Sequence, residues 1–267
     1  MSTIWEETKK QGSKMKDRPL KEKIAYFWEY YHVQVLIGAG ALAIVISIIH
    51  AIATSKDYAL SVVMINSLAP SMTEVTDEWT SDLSELIEFD PKKYEVYIDS
   101  TIMLGSDRAT ANEEYASQQK MAALISSASI DILISDSEQF ERYAQNNSFA
   151  DLRTVYSESE LKAFEGRIYY TDRNTFKDYE SDANINVDIN ALQASYTVDH
   201  RDPSSMADPV PVGIYASGNT KIGNAGVYSH YTADDTYQGH PIEAVIGIPA
   251  NSPRIPAAVT GIDYFLN

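Results

Sequence analysis

YALSVVMIN, Tyr58 to Asn66, is a nearly continuous apolar run of strand length, β-branched in part. A strand wetted on one face alternates apolar and polar residues. A strand buried on both faces of a parallel sheet has no such need and reads like this one. Two more runs follow, YEVYIDSTI (94–102) and IDILIS (130–135). Helical stripes separate them. Ser71 and Glu74 have the spacing of a capping box, and Val75, Trp79, Leu83, Leu86 and Ile87 fall on one face before Asp90-Pro91 breaks the pattern. Thr110 and Glu113 repeat the box ahead of a helix to about Ser127, with Tyr115, Ala122 and Ile125 expected on its inner face. Asp136 caps a third helix carrying Phe140, Tyr143 and Ala144. Strand–helix alternation of this kind predicts an α/β fold: a mostly parallel sheet with helices on both faces and right-handed crossovers.

Farther along, Ser157 and Glu160 open a short helix with Leu161 and Phe164, and RIYYT (167–171) reads as a strand. A polar Asp/Asn-rich segment and a Pro-containing loop (Asp202-Pro203, Asp208-Pro209-Val210-Pro211) lead to strands at VGIYAS (212–217) and AVIGI (244–248). A last helix runs through Val259, Ile262 and Phe265. Residues 58–267 are taken as one α/β domain, with room for a small subdomain at 153–209.

Upstream lies VQVLIGAGALAIVISIIHAIA, 33–53, without a charge. As a helix it is about 31 Å long, the thickness of a bilayer's hydrocarbon core, and it predicts a single transmembrane span. Seven basic residues (Lys9, Lys10, Lys14, Lys16, Arg18, Lys21, Lys23) precede it, and only Lys56 follows closely. That bias puts the 1–32 arm in the cytoplasm and the C-terminal domain outside the cell membrane. Asp17-Arg18-Pro19 reads as a helix start, and Leu20, Ile24, Phe27 and Tyr31 mark an amphipathic juxtamembrane helix that turns into the span. Ala51-Ile52-Ala53 has the form of a signal-peptidase site, but the apolar run exceeds the usual leader length and 32 residues precede it, which favours an uncleaved anchor.

The net charge of -17 is uneven: +2 over residues 1–32 and -19 over 54–267. A domain that acidic repels nucleic acid. There are no cysteines, which excludes disulfides, thiolate metal sites, a cysteine nucleophile and a lipoprotein anchor. No G-x-S-x-G, H-E-x-x-H, G-x-G-x-x-G or Walker loop occurs, so no enzyme, cofactor or metal is expected. Asp182-x-Asn184-x-Asn186-x-Asp188-x-Asn190 has calcium-loop spacing, yet Val187 stands where Gly is required and Gln193 where Glu is required. The intervening apolar residues read as a half-buried strand. His200, His230 and His240 fall in polar loops and read as surface histidines.

Three pieces resemble the ligand-binding lobe of extracytoplasmic solute-binding proteins of the type II periplasmic class: IDILISDSEQFERYAQNNSFADL (130–152), VPVGIY (210–215) and VIGIPANSPRIPAAVTGIDYFL (245–266). About 57 residues separate Leu152 from Val210, so the second lobe would be a remnant. The chain is also similar to single-pass Gram-positive membrane proteins carrying such reduced domains. The resemblance to the single-pass proteins implies a location outside the membrane and supplies no activity.

In open α/β sheets ligands bind beyond the C-terminal strand ends. Those ends are Asn66-Ser67, Asp99-Ser100, Ser135-Asp136, Ser217-Gly218-Asn219 and Asn251-Ser252. Asn66, Ser67, Ser100, Ser135, Asp136 and Asn251 are the expected ligand-binding residues, although the same types cap helices and close turns everywhere. The expected function is a non-catalytic, membrane-anchored binding module for a small polar ligand or a partner protein of the cell envelope. The alternative is a structural or accessory subunit of an envelope or transporter complex, without a ligand.

Overall fold

A computed structural model of the chain describes residues 19–105, 108–173 and 198–267. The basic residues up to Arg18, the Asp17-Arg18 helix start and the 182–193 segment lie outside the described residues. Two compact units divide at Ser55/Lys56.

The first unit is one helix, α1, Leu20–Thr54. It is continuous, where a turn had been expected between a juxtamembrane helix and the span; no proline or glycine pair interrupts residues 20–37, so nothing breaks the hydrogen-bond ladder. Its stretch Tyr31–His50 is long and apolar enough to cross a membrane, by length and composition. Leu20, Ile24, Phe27 and Trp28 are exposed, and Phe27 stacks on Tyr31 at 5.3 Å.

The second unit is an α/β domain around a six-stranded sheet. Its strands are β1 Asp57–Ile65, β2 Tyr94–Ile102, β3 Ile132–Asp136, β4 Ile168–Asp172, β5 Pro209–Tyr215 and, after a two-residue hairpin pair (β6 Thr236–Tyr237, β7 His240–Pro241), β8 Ala244–Gly247. The order is β2-β1-β3-β8-β5-β4. β1 is parallel to β2 and β3, as predicted. The other half departs from prediction, since β8 is antiparallel to β3 and β5, and β4 is antiparallel to β5. The sheet is therefore mixed. The chain leaves β5 at the edge where β1 and β3 end. Leu68 N–H donates to Val227 O there, and the Tyr228 hydroxyl reaches Ile65 O and Ile134 O. Residues 216–243 thus stay at that edge, and β8 must run back from it.

Helices cover both faces. Leu60, Val62 and Met64 of β1 pack with Trp79 and Leu83 of α2 (Met72–Leu86) and with Ile262 and Phe265 of the last helix, α7 (Ile255–Leu266). Val63 and Ile65 point to the other face, against Met121 of α3 (Ala111–Ser126) and Phe140 of α4 (Ser137–Ala144). Two short helices, α5 (Glu158–Ala163) and α6 (Lys221–Ala225), complete the unit.

The capping boxes Thr110/Glu113 and Ser157/Glu160 form with both reciprocal hydrogen bonds. Ser71 does not cap α2: it sits at φ -116°, ψ 37° and its side chain accepts no cap bond. The inner face of α3 is Ser117 and Met121, whereas Tyr115 and Ala122 are exposed. Trp79 lies in the core, edge-on to Phe265 at 5.2 Å.

Candidate functional site

β1 ends in Asn66, a non-glycine residue at φ 57°. Asparagine tolerates this left-handed conformation better than most residues. The turn aims its amide across the strand ends. Nδ2 donates to Leu104 O and to Asp136 Oδ2, both at 2.8 Å, and Oδ1 accepts from Leu104 N at 2.8 Å. One side chain therefore ties together the ends of β1 and β3 and the exit from β2. Asp136 in turn caps α4, its Oδ1 accepting from Gln139 N at 2.9 Å. Both residues are buried. Burial pushes the Asp136 carboxyl above its ordinary range, and the bonds from Gln139 and Asn66 offset only part of that.

Tyr228 and Tyr231 lie beside this pair. Burial, then the charge of Asp136, raises both phenols far above the usual tyrosine range. Their rings, with Ser217, Gly218, Ile222 and Glu243, line a cleft of about 200 Å³. Ser67, beside Asn66, is buried, and its hydroxyl has no hydrogen-bond partner among the described residues. Ser135 is buried and donates to Asp136 O at 3.0 Å.

Four of the six expected ligand residues (Asn66, Ser67, Ser135, Asp136) thus gather at one edge. The other two do not. Ser100 lies inside β2, half-buried, next to an Asp99 that pairs with Lys120. Asn251 follows β8, and because β8 runs antiparallel its end falls at the opposite edge. There its Nδ2 donates to Ile125 O at 2.8 Å, and it borders an apolar cavity of about 220 Å³ with Met121, Ile130 and Phe149. Ser252 and Arg254 at that edge bind the buried Asp131, each at 2.7 Å.

Glu243 also borders a second hollow, of about 60 Å³, on the α4 side of the edge, lined by His200, Arg201, Tyr215, Tyr237 and Gln238. Behind two of these residues lies the buried Glu141 of α4, which does not itself line the hollow: it accepts from Gln238 Nε2 at 3.1 Å and lies 3.6 Å from His200 Nε2. His200 is not the surface histidine expected: its side chain is 14% exposed and its ring stacks on Tyr169 at 4.3 Å. Sequence reasoning missed Glu141, although a charged residue beside Phe140 and three before Ala144 interrupts an otherwise apolar stripe. It also missed Tyr228 and Tyr231, whose only signal was an aromatic pair just after Gly226.

No three His, Cys, Asp or Glu side chains gather as a metal site among the described residues. The edge offers hydrogen-bonding groups and aromatic walls. Comparison of the chain with protein-family models, with curated proteins and with solved structures finds no match.

Proposed function

We propose that this chain is a non-catalytic binding module for a small polar ligand, held at the cell membrane by α1 with its α/β domain on the outer side. One observation carries the reading: the cleft beside Asn66 and Asp136. Its lining pairs the Tyr228 and Tyr231 rings with the polar Ser217 and Glu243, at the strand ends where α/β sheets take ligands, next to the buried Asn66–Asp136 pair. The resemblance to the lobe of a solute-binding protein supports the same reading, and the apolar Tyr31–His50 stretch supports the anchor.

The test is a thermal-shift screen of the full chain in nanodiscs against sugars, amino acids, short peptides, nucleobases and phosphate. A ligand at a hundred times its dissociation constant adds about 2.7 kcal/mol, several degrees for a domain of this size. The reading expects a shift that is lost in Ser217→Trp, which fills the cleft. A melt that no probe moves would instead favour an accessory subunit of an envelope complex.

A further inference from the structure

The hollow above Glu141 has an excess of hydrogen-bond acceptors. His200 Nδ1 lies 2.7 Å from the backbone oxygen of Tyr170. A carbonyl only accepts, so Nδ1 carries the proton, and in the neutral ring Nε2 is then a bare lone pair. That lone pair faces Glu141 Oε1 at 3.6 Å, acceptor against acceptor. Glu141 already draws two amides, Gln145 Nε2 at 2.7 Å and Gln238 Nε2 at 3.1 Å, and the Tyr237 hydroxyl. His200 Nε2, Gln238 Oε1 and the hydroxyl of the fully buried Tyr169 all lack a partner among the described residues. Orphans of this kind are costly, and the two pure acceptors, His200 Nε2 and Gln238 Oε1, both next to the Glu141 carboxylate, call for an occupant that supplies donors, whereas the Tyr169 hydroxyl carries a donor of its own.

Charge narrows the occupant. Arg201 is already committed, forming an ion pair with Glu243 and lying 3.6 Å over the ring of Tyr215. Among the described residues, His200 is the only basic group within ion-pair distance of Glu141. Size narrows it further. About 60 Å³ holds a head of water-like size, roughly 30 Å³, with one or two attached carbons.

We propose that this hollow binds the primary ammonium group of a small amine, with His200 Nε2, Glu141 and Gln238 Oε1 as its acceptors. The ring of Tyr237, which lines the hollow, suits such a cation. The site shares Glu243 with the Ser217–Tyr231 cleft but none of the three proposed acceptors, so its test does not depend on what that cleft binds.

The test uses the full chain in nanodiscs with ¹⁵N-labelled histidine, which gives five residues to assign. Methylammonium is the probe, and tetramethylammonium, which has no N–H, and acetate are the controls. The expected result is a saturable change at His200 Nε2 with methylammonium alone, weakened about tenfold or more in Glu141→Gln. His200→Phe, which keeps the ring stack, is expected to abolish methylammonium's protection in a thermal melt. Two results would overturn the proposal. One is an Nε2 already protonated at neutral pH without probe, which makes His200 itself the cation. The other is a response to methylammonium no different from that to tetramethylammonium.

Discussion

Asn66 Nδ2 donates to Asp136 Oδ2 at 2.8 Å, joining the ends of two parallel strands across 70 residues of chain. The bond matters to the site because the same carboxylate starts α4, which carries Glu141 into its buried position. Asp136→Ala removes both the cap and Asn66's partner. It is expected to cost about 1–3 kcal/mol, seen as a lower urea midpoint at unchanged slope.

Asp136 also sets a pH dependence. The folded state keeps its proton to higher pH than the unfolded chain does. Stability therefore falls as pH rises from the ordinary carboxyl range to the raised folded value, and the cost of the buried charge disappears below that window. Relative to Asp136→Asn, which does not titrate, the wild type should gain stability as the solution is acidified from neutral pH. A pH-independent difference between the two would refute this.

Asp99 behaves in the opposite sense. Burial pushes its carboxyl up, but the Lys120 ammonium and the hydroxyl and N–H of Thr101 outweigh that and hold it below the ordinary range. Its contribution is present above the unfolded pKa and is lost as pH falls through the depressed folded one. Lys120→Met leaves a carboxylate only 2% exposed without its cation and should cost about 1–3 kcal/mol at neutral pH. The difference from wild type should shrink in acid.

Phe140 fixes where α4 sits. Its ring fills the space above two glycines on neighbouring strands. A Cβ at Gly213 would meet Phe140 Cζ at 2.5 Å, and one at Gly247 would meet it at 2.8 Å. Gly213→Ala or Gly247→Ala should each destabilise by about 1–3 kcal/mol. Phe140→Leu should recover part of the Gly213→Ala loss in a double-mutant cycle, since the two side chains contend for one volume.

The absence of cysteine makes topology easy to read. With the arm inside and the domain outside, an impermeant maleimide on intact cells should label Asn267→Cys at once, and Ser13→Cys only after lysis. The reverse pattern would invert the proposed orientation.

The sequence was most legible where local chemistry and burial agree. β1, β2 and β3 announce themselves as apolar runs, and Thr110/Glu113 and Ser157/Glu160 cap their helices as their spacing implies. An apolar run carries no direction, however. AVIGI reads equally well up or down the sheet, and only the return of residues 216–243 along one edge makes β8 antiparallel. That one reversal carries Asn251 away from Asn66 and Asp136. Tyr115 failed for a different reason. The helical stripe was legible, but its phase was not, because Ser117 turns inward to accept from Met103 N and takes Met121 with it. His200 was misread because its burial comes from a stack on Tyr169, 31 residues earlier in the chain.

The most direct test of the binding account is native mass spectrometry of the full chain, released from nanodiscs made from the membranes in which it was expressed. The account predicts a one-to-one adduct with a small polar molecule, absent from Ser217→Trp and weakened in Tyr231→Ala. A bare protein mass in every preparation, with wild type and variants indistinguishable, would contradict it.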